Sequence, residues 1–118
     1  MSNCEPIELF YEDIVPLSQN AYYNHFRSRV SISKRGAEYR KLIQEKLPID
    51  KKITGPVKLS LIFYFKDKRK RDLDNLNKPL IDAIKNIVIE DDDQVYELYM
   101  KKHTGHPNFA FKIIVEKL

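Results

Sequence analysis

The chain has one cysteine, Cys4, three glycines, and no apolar run of transmembrane length. A lone cysteine makes no intrachain disulfide, which favours a reducing compartment and predicts a cytoplasmic protein. The glycines, Gly36, Gly55 and Gly105, are too scattered for a glycine-rich phosphate loop. The longest apolar-rich stretch, LSLIFYF over 59–65, has the length of a strand. A membrane helix needs roughly 20 such residues, so no membrane association is expected. The first residues, MSNCEPIELF, have no basic segment followed by an apolar run, so a signal peptide is not expected there. The histidines, His25, His103 and His106, lack the cysteine or paired-histidine spacing of a zinc site. Nothing points to a Ser-His-Asp arrangement.

What remains is a charged chain of globular composition. Its 118 residues predict a single domain spanning 1–118. Hydrophobic residues make up 42% and charged residues 32%, enough for one core and too much for a disordered chain. There are 21 Lys and Arg against 17 Asp and Glu, a formal charge of +4 with a pI near 9.1. The distribution matters more than the sum. Bases crowd into 27–41 and 66–71, and acids into 90–93. A basic surface around a compact acidic spot fits a protein that binds a polyanion and holds metal ions against it.

Residues 7–15 alternate as a first strand, with Ile7, Leu9 and Tyr11 on one face, ended by Pro16. Residues 17–33 show no clear periodicity and read as a long ordered loop. Ser33 is placed to N-cap a helix over 34–47, with Tyr39, Leu42, Ile43 and Leu47 as its apolar stripe and Pro48 as its stop. Gly36 weakens the first turn of that helix. After a turn at Gly55-Pro56 comes the clearest strand, 57–65, with Val57, Leu59, Leu61, Phe63 and Phe65 on one face. A second helix starts near Asn75–Asn77, with Pro79 forcing an irregular first turn and Asn86 as its C-terminal cap. Ile87-Val88-Ile89 suits extended chain. Strands over 94–103 and 108–117 follow, joined as a hairpin through Thr104-Gly105-His106-Pro107. The expected class is α+β, a small mixed sheet of four strands with two packed helices in the order β-α-β-α-β-β.

Asp72 and Asp74 lie two apart between the strongest strand and the second helix. In extended chain that spacing points both carboxylates to one side. Mg²⁺ prefers a few carboxylates together with water and phosphate oxygens, so such a pair is a candidate site. A third acid can come from Glu90, Asp91, Asp92 or Asp93. If the second helix ran to Ile89 it would be about 20 Å long and strand Asp92 at its far end. If it stops near Lys85, the six residues from Ile87 to Asp92 span about 20 Å extended and can return. Failing that, the third acid comes from a dimer partner. The competing readings are structural: the run EDDD as a solvated turn, and Asp74 or Asn75 as a helix cap.

Five of the six residues of KDKRKR (66–71) are basic, and they run directly into Asp72. They can carry a phosphate backbone to carboxylates that would otherwise repel it, or they can be a solvated strand end. Arg27, Arg29, Lys34 and Arg35 are interleaved with Tyr22, Tyr23, His25 and Phe26. Arginines hold phosphates and aromatics stack on or wedge between bases. The alternative is that the tyrosines pack in the core. Lys78, four residues from both Asp74 and Asp82, either stabilises charge on a scissile phosphate or belongs to a surface Asp–Lys–Asp ladder.

The segment RDLDNLNKPLIDAIKNIVIEDDDQV (71–95) resembles the RusA-type Holliday junction resolvases of phages, prophages and their bacterial hosts. The matching positions are Arg71, Asp72, Asp74, Asn75, Lys78, Asp82, Asp91, Asp92 and Gln94. Ser18, Asn20, Tyr22 and Tyr23 are similar to that family's Ser-x-Asn-x-Tyr-Tyr stretch, and Val30, Ser31, Tyr39 and Arg40 to its next block. The resemblance runs from about residue 7 to 117. It implies a homodimer that binds a four-way DNA junction and nicks two strands symmetrically, with Mg²⁺ as cofactor and Mn²⁺ as a substitute. It implies that Asp72, Asp74, Asp92 and Lys78 are catalytic, with Asp72, Asp74 and Asp92 as metal ligands and Asp91 beside them. The segment between Asp82 and Asp91 departs from the family in length and lacks a glycine found there, so Asp91 and Asp92 both remain candidates for the third ligand. The DNA contacts expected are Arg71, Lys70, Arg69, Lys68, Arg27, Arg29, Lys34 and Arg35, with Asn20 and Tyr22. The leading expectation is a junction-resolving endonuclease of recombination and repair. The alternatives are a non-cleaving structured-DNA-binding module of the same fold and a general branched-DNA or flap nuclease.

Overall fold

A computed structural model describes residues 5–118; Cys4 lies outside the described residues. In chain order the elements are β1 (Ile7–Glu12), α1 (Gln19–Tyr22), β2 (Tyr23–Phe26), β3 (Arg29–Ile32), α2 (Lys34–Gln44), β4 (Val57–Tyr64), α3 (Asn77–Ile84), β5 (Val95–His103) and β6 (Ala110–Lys117). The alternation that marks β4 in the sequence puts Val57, Leu59, Leu61 and Phe63 in the core. β4 sits inside a four-stranded sheet of order β1-β6-β4-β5. β6 runs antiparallel to β1 and to β4, and β5 runs parallel to β4, so the sheet is mixed as expected. Tyr39 and Ile43 of α2, and Leu80, Ala83 and Ile84 of α3, close over the core with Tyr11, Phe111 and Ile113 from the sheet.

The expected hairpin between the last two strands does not form. Both edges of β6 are taken, by β1 and by β4, and β5 pairs with the far edge of β4. The connecting segment crosses the end of β4, where Phe65 N–H donates to the His103 carbonyl and His106 N–H to the Phe65 carbonyl. Gly105, at φ +67°, makes the turn. Turn chemistry marked the reversal correctly, but a turn does not say which strand lies alongside.

Residues 17–33 are not a loop. Ser18 caps α1 by accepting from Ala21 N–H at 3.3 Å, and β2 and β3 then form a separate two-stranded hairpin. Residues 24–31 are all exposed, so the hairpin has no buried face to impose an alternating pattern. β1 also stops short of residue 15, at Glu12, with Asp13 at φ 60° turning the chain.

Ser33 caps α2 as expected, accepting from Gly36 N–H at 2.9 Å. The regular helix ends at Gln44, before residue 47, and Leu42 of the expected stripe is exposed. Gln44 stands beside α3 in its place, donating to the Ala83 carbonyl at 3.1 Å. Gly36 is required here rather than merely tolerated. It is buried in the first turn of α2, and a Cβ on it would overlap the Tyr22 carbonyl oxygen. That carbonyl also accepts from Ser33 N–H at 2.8 Å, so it cannot move freely. Gly36→Ala gains about 1 kcal/mol of helix propensity but forces apart two bonded segments. The expected result is a net loss of about 1–3 kcal/mol in denaturant unfolding, typical of overpacking.

Candidate active site

After β4 the chain turns outward and enters a 3₁₀ turn, Leu73–Asn75, that leads into α3. Leu73 is half-buried against the core and Leu76, three residues on, is fully buried. Asp72 and Asp74 flank the inward Leu73 and are both exposed. Extended spacing therefore is not what makes them neighbours. Asp72 is extended (φ −87°, ψ 128°), and Asp74 lies within the turn, held outward by the leucines around it. Neither carboxylate has a hydrogen-bond or ion-pair partner among the described residues, and Asp72 does not cap the turn with its side chain. Two free carboxylates, one just before and one within a single turn, are suitable donors for a hard divalent cation.

Lys78, in the first turn of α3, is exposed and makes no ion pair among the described residues. The surface Asp–Lys–Asp ladder is therefore absent. Its Nζ lies 5.8 Å from the centre of the Tyr23 ring. Pro79, buried beside it, occupies the first turn, where its missing N–H costs nothing. Asp82 is engaged elsewhere. It accepts from the Tyr22 hydroxyl at 2.6 Å and lies 3.7 Å from Arg40 Nη1. Tyr22 is buried completely, which removes it from the expected DNA contacts. Burial, with the Asp82 bond adding to it, pushes the Tyr22 phenol up, so it stays a donor throughout the physiological range. The bond ties α1 and the base of the β2–β3 hairpin to α3, the helix that carries Lys78.

α3 stops at Ile84, even earlier than expected, and Asn86 takes the left-handed conformation (φ 70°) that a C-terminal cap favours. Ile87–Ile89 is not extended chain. It folds into a tight turn in which Val88 N–H donates to the Ile84 carbonyl at 2.9 Å and Asn86 N–H to the Ile89 carbonyl at 2.6 Å. Val88 and Ile89 are fully buried. Burial of these two side chains holds the segment down, so the early stop does not carry Asp92 back to Asp72.

The acidic run that follows is an ordered 3₁₀ turn, Asp92–Gln94, built as a capping box. The Asp91 carboxylate accepts from Asp92 N–H at 2.8 Å and lies 3.6 Å from Lys85 Nζ. Its hydrogen bonds with Asp92, then the Lys85 charge, hold the Asp91 carboxyl below the usual carboxylate range. Gln94 closes the box. Its Oε1 accepts from the N–H groups of Glu90 (2.6 Å) and Asp91 (3.0 Å), and its Nε2 donates to the carbonyls of Ile53 and Gly55, both at 2.9 Å. The sequence signature of this clasp was the Asp-x-x-Gln spacing of 91–94, a capping-box pattern that is readable without a structure. Gln94→Ala removes four bonds, mostly to exposed groups, and is expected to cost about 1–2 kcal/mol. Differential scanning calorimetry should show Tm lowered by several degrees.

Asp91 thus serves as a cap, while Asp93 and the expected ligand Asp92 both face solvent. The position of Asp92 is the main departure from expectation. Asp92 precedes Val95, which pairs with Val57 at the start of β4. Asp72 follows Arg71, whose carbonyl accepts from Lys102, the residue opposite Phe63 near the end of β4. Parallel pairing of β4 and β5 therefore sets Asp92 and Asp72 at opposite ends of the same strand, roughly 20 Å apart at 3.3 Å per residue. Among the described residues, no three Asp, Glu, His or Cys side chains come together to hold a metal ion.

The basic segments divide. Lys66, Lys68, Arg69 and Lys70 are exposed beside Asp72, as are Arg27, Arg29, Lys34, Arg35 and Asn20 around the hairpin. Arg71 is turned inward. Its guanidinium pairs with both oxygens of Asp67 (2.5 and 3.2 Å) and lies 4.2 Å from the centre of the Phe65 ring. The hydrogen bond to Arg71 holds the Asp67 carboxyl below the usual carboxylate range. Arg71 therefore braces the loop that presents its basic neighbours. No helix among the described residues is long and apolar enough to cross a membrane.

Comparison with known proteins follows the same lines. The family model described as Endodeoxyribonuclease RusA matches residues 13–115. Proteins named crossover junction endodeoxyribonuclease RusA from Shigella sonnei (strain Ss046) and Enterobacteria phage 82 are each 40% identical to this chain over 73 residues, and that of Escherichia coli (strain K12) is 38% identical over 73. In each case the match covers 58% of this chain and 60% of the relative, so the chain spans about 60% of the length of these curated relatives.

Proposed function

The chain belongs to the RusA endodeoxyribonuclease family, and on that premise we propose that it is a Mg²⁺-dependent, structure-specific DNA endonuclease that resolves four-way junctions by paired symmetric nicks, in recombination and repair within the cytoplasm. The observation that carries this reading is the free pair Asp72 and Asp74, fixed around the inward Leu73 and bordered by the exposed bases of 66–70. A binding module gains nothing from two unneutralised carboxylates set where phosphate would lie.

Asp72 and Asp74 would hold Mg²⁺, with Mn²⁺ as a substitute; bound there, the ion would make a water acidic enough to lose a proton and become the nucleophile, and would neutralise charge on the phosphate. Lys66, Lys68, Arg69 and Lys70 draw the backbone against the carboxylates. Lys78, in the first turn of α3 and without an ion-pair partner among the described residues, stabilises the charge that develops on the cleaved phosphate. Attack in line breaks the P–O3′ bond and leaves a 3′-hydroxyl and a 5′-phosphate.

The third acid is best supplied by a second copy of the chain. Among the described residues β5 has one unpaired edge, and Tyr96 and Leu98 of that strand are 71% and 44% exposed. A long, apolar, open edge strand is a site of association. If two copies meet along β5 about a twofold axis, their β5 strands run antiparallel, and the start of one lies beside the end of the other. Asp92 of each copy is then brought toward Asp72 and Asp74 of its mate. Asp92 is the better ligand candidate of the adjacent pair, because Asp91 is committed to its cap.

Incubation with Mg²⁺ and a synthetic four-way junction should release two nicked duplexes, while a linear duplex of the same arms stays intact. Tight junction binding without nicks would favour the non-cleaving module, and equal cutting of flaps would favour a general branched-DNA nuclease.

A further inference from the structure

The hairpin β2–β3 is a finger that holds none of the residues assigned to cleavage. It pairs with no strand of the main sheet, and residues 24–31 are exposed throughout. An isolated two-stranded hairpin is marginal in water. This one is fastened at its base, by Tyr22 on Asp82, by Ser33 Oγ donating to the Ala21 carbonyl at 2.7 Å, and by the close approach of Gly36. Everything beyond the base projects freely.

The tip joins Phe26 to Arg29 through Arg27 and Ser28. Phe26 is 69% exposed, and the Arg27 guanidinium lies 5.4 Å from its ring centre. Arg27 is held at φ 57°, in the left-handed region that tight hairpin turns ask for at this position. Glycine or asparagine would adopt it with less strain. Stability alone does not favour an arginine there, nor a phenyl ring beside it in water. Charge gives the direction. From Ile14 to Ala37 there is no acidic residue, while the same stretch holds His25, Arg27, Arg29, Lys34 and Arg35. An acid-free basic finger tipped by an aromatic ring is complementary to nucleic acid at a place where a base face is open.

We propose that Phe26 is a wedge that stacks on an unstacked base at the branch point of DNA, with Arg27 and Arg29 gripping the phosphates on either side. This rests on the endonuclease reading above and names how that site would recognise a branch. Inserting a side chain between stacked base pairs carries an unstacking cost. At a branch point the bases have already lost continuous stacking, so the same ring gains contact at less cost, and the wedge discriminates branched from linear DNA. The finger also sets a distance. Tyr23, at its base, lies 5.8 Å from Lys78 Nζ, and the strand to Phe26 adds about 10 Å. The stacked base therefore falls within a few nucleotides of the phosphate that Lys78 faces.

The test measures binding, without divalent metal, to a fluorescent four-way junction and to a linear duplex of the same arms. Phe26→Ala should lower the junction-to-duplex affinity ratio about tenfold, the loss of one base–aromatic stack. Phe26→Trp should keep the ratio at the wild-type value or raise it. Thermal melting of both variants should match wild type, since the side chain packs against nothing in the core. An unchanged ratio in Phe26→Ala, or a Trp variant as weak as the Ala variant, overturns the wedge. Cleavage assays with Mg²⁺ separate the two readings. Wild-type cutting of junctions with no Phe26 dependence leaves the nuclease standing and removes the wedge. A Phe26-dependent ratio in a protein that cuts nothing keeps the wedge and removes the nuclease.

Discussion

Asp72→Asn should lower junction cleavage by at least about 100-fold while leaving both the fold and junction binding intact. Among the described residues the Asp72 carboxylate makes no hydrogen bond, does not cap the turn that follows it, and is exposed, so its replacement by the isosteric amide removes no structural contact seen there. Unfolding free energy should stay within about 0.5 kcal/mol of wild type. Affinity for a four-way junction should hold or rise, because an anion facing phosphate is gone and the bases of 66–70 remain. Single-turnover nicking and gel-shift binding, run on the same preparation, check both halves. Cleavage at the wild-type rate would remove Asp72 from the chemistry and with it the case for this cluster. Lost binding together with lost cleavage would mean that the residue holds the segment in place instead.

Much of this arrangement is legible in the amino-acid sequence. The strand 57–65, the Ser33 cap, the irregular entry at Pro79 and the stop at Asn86 each follow from local chemistry, and each forms as that chemistry dictates. Partner choice was not legible. The segments 94–103 and 108–117 read as two strands around a turn, but nothing local to them says that β4 separates them. That single fact relocates Asp92, because a strand parallel to β4 must start at the end of β4 remote from Asp72. The hairpin 23–32 is not legible for a related reason: with both faces in water, neither face has an apolar period to display. Charge and aromatics nevertheless mark the segment, but they do not say which of its rings face water. Tyr22, one of the expected DNA contacts, is the buried anchor, whereas Phe26 is exposed. Arg71 shows the same limit. A basic run predicts a basic surface, but not which member turns back to pair with Asp67 and stack on Phe65.

The separation of Asp92 from Asp72 leads to the most discriminating result expected of this protein. Asp92→Asn alone should abolish cleavage much as Asp72→Asn does, although Asp92 lies at the other end of β4 in its own chain. Mixing the two inactive proteins after brief co-denaturation and refolding should then restore nicking. In a dimer joined along β5, one site combines the Asp72→Asn turn of the first copy with the Asp92→Asn turn of the second and is doubly defective. The other site combines the two unaltered turns and is whole. Half of randomly assorted dimers are mixed, and each has one working site of two, so total nicking should recover to about one quarter of wild type. Because each mixed dimer holds one intact site, the product should be singly nicked junction rather than paired resolution, which a denaturing gel separates from a native one. If each copy built its own site, every subunit in the mixture would carry one lesion and no activity would return. A β5 edge blocked by Leu98→Lys should give monomers that bind no metal at the composite site and recover nothing on mixing, tying the restored activity to that interface and not to exchange elsewhere.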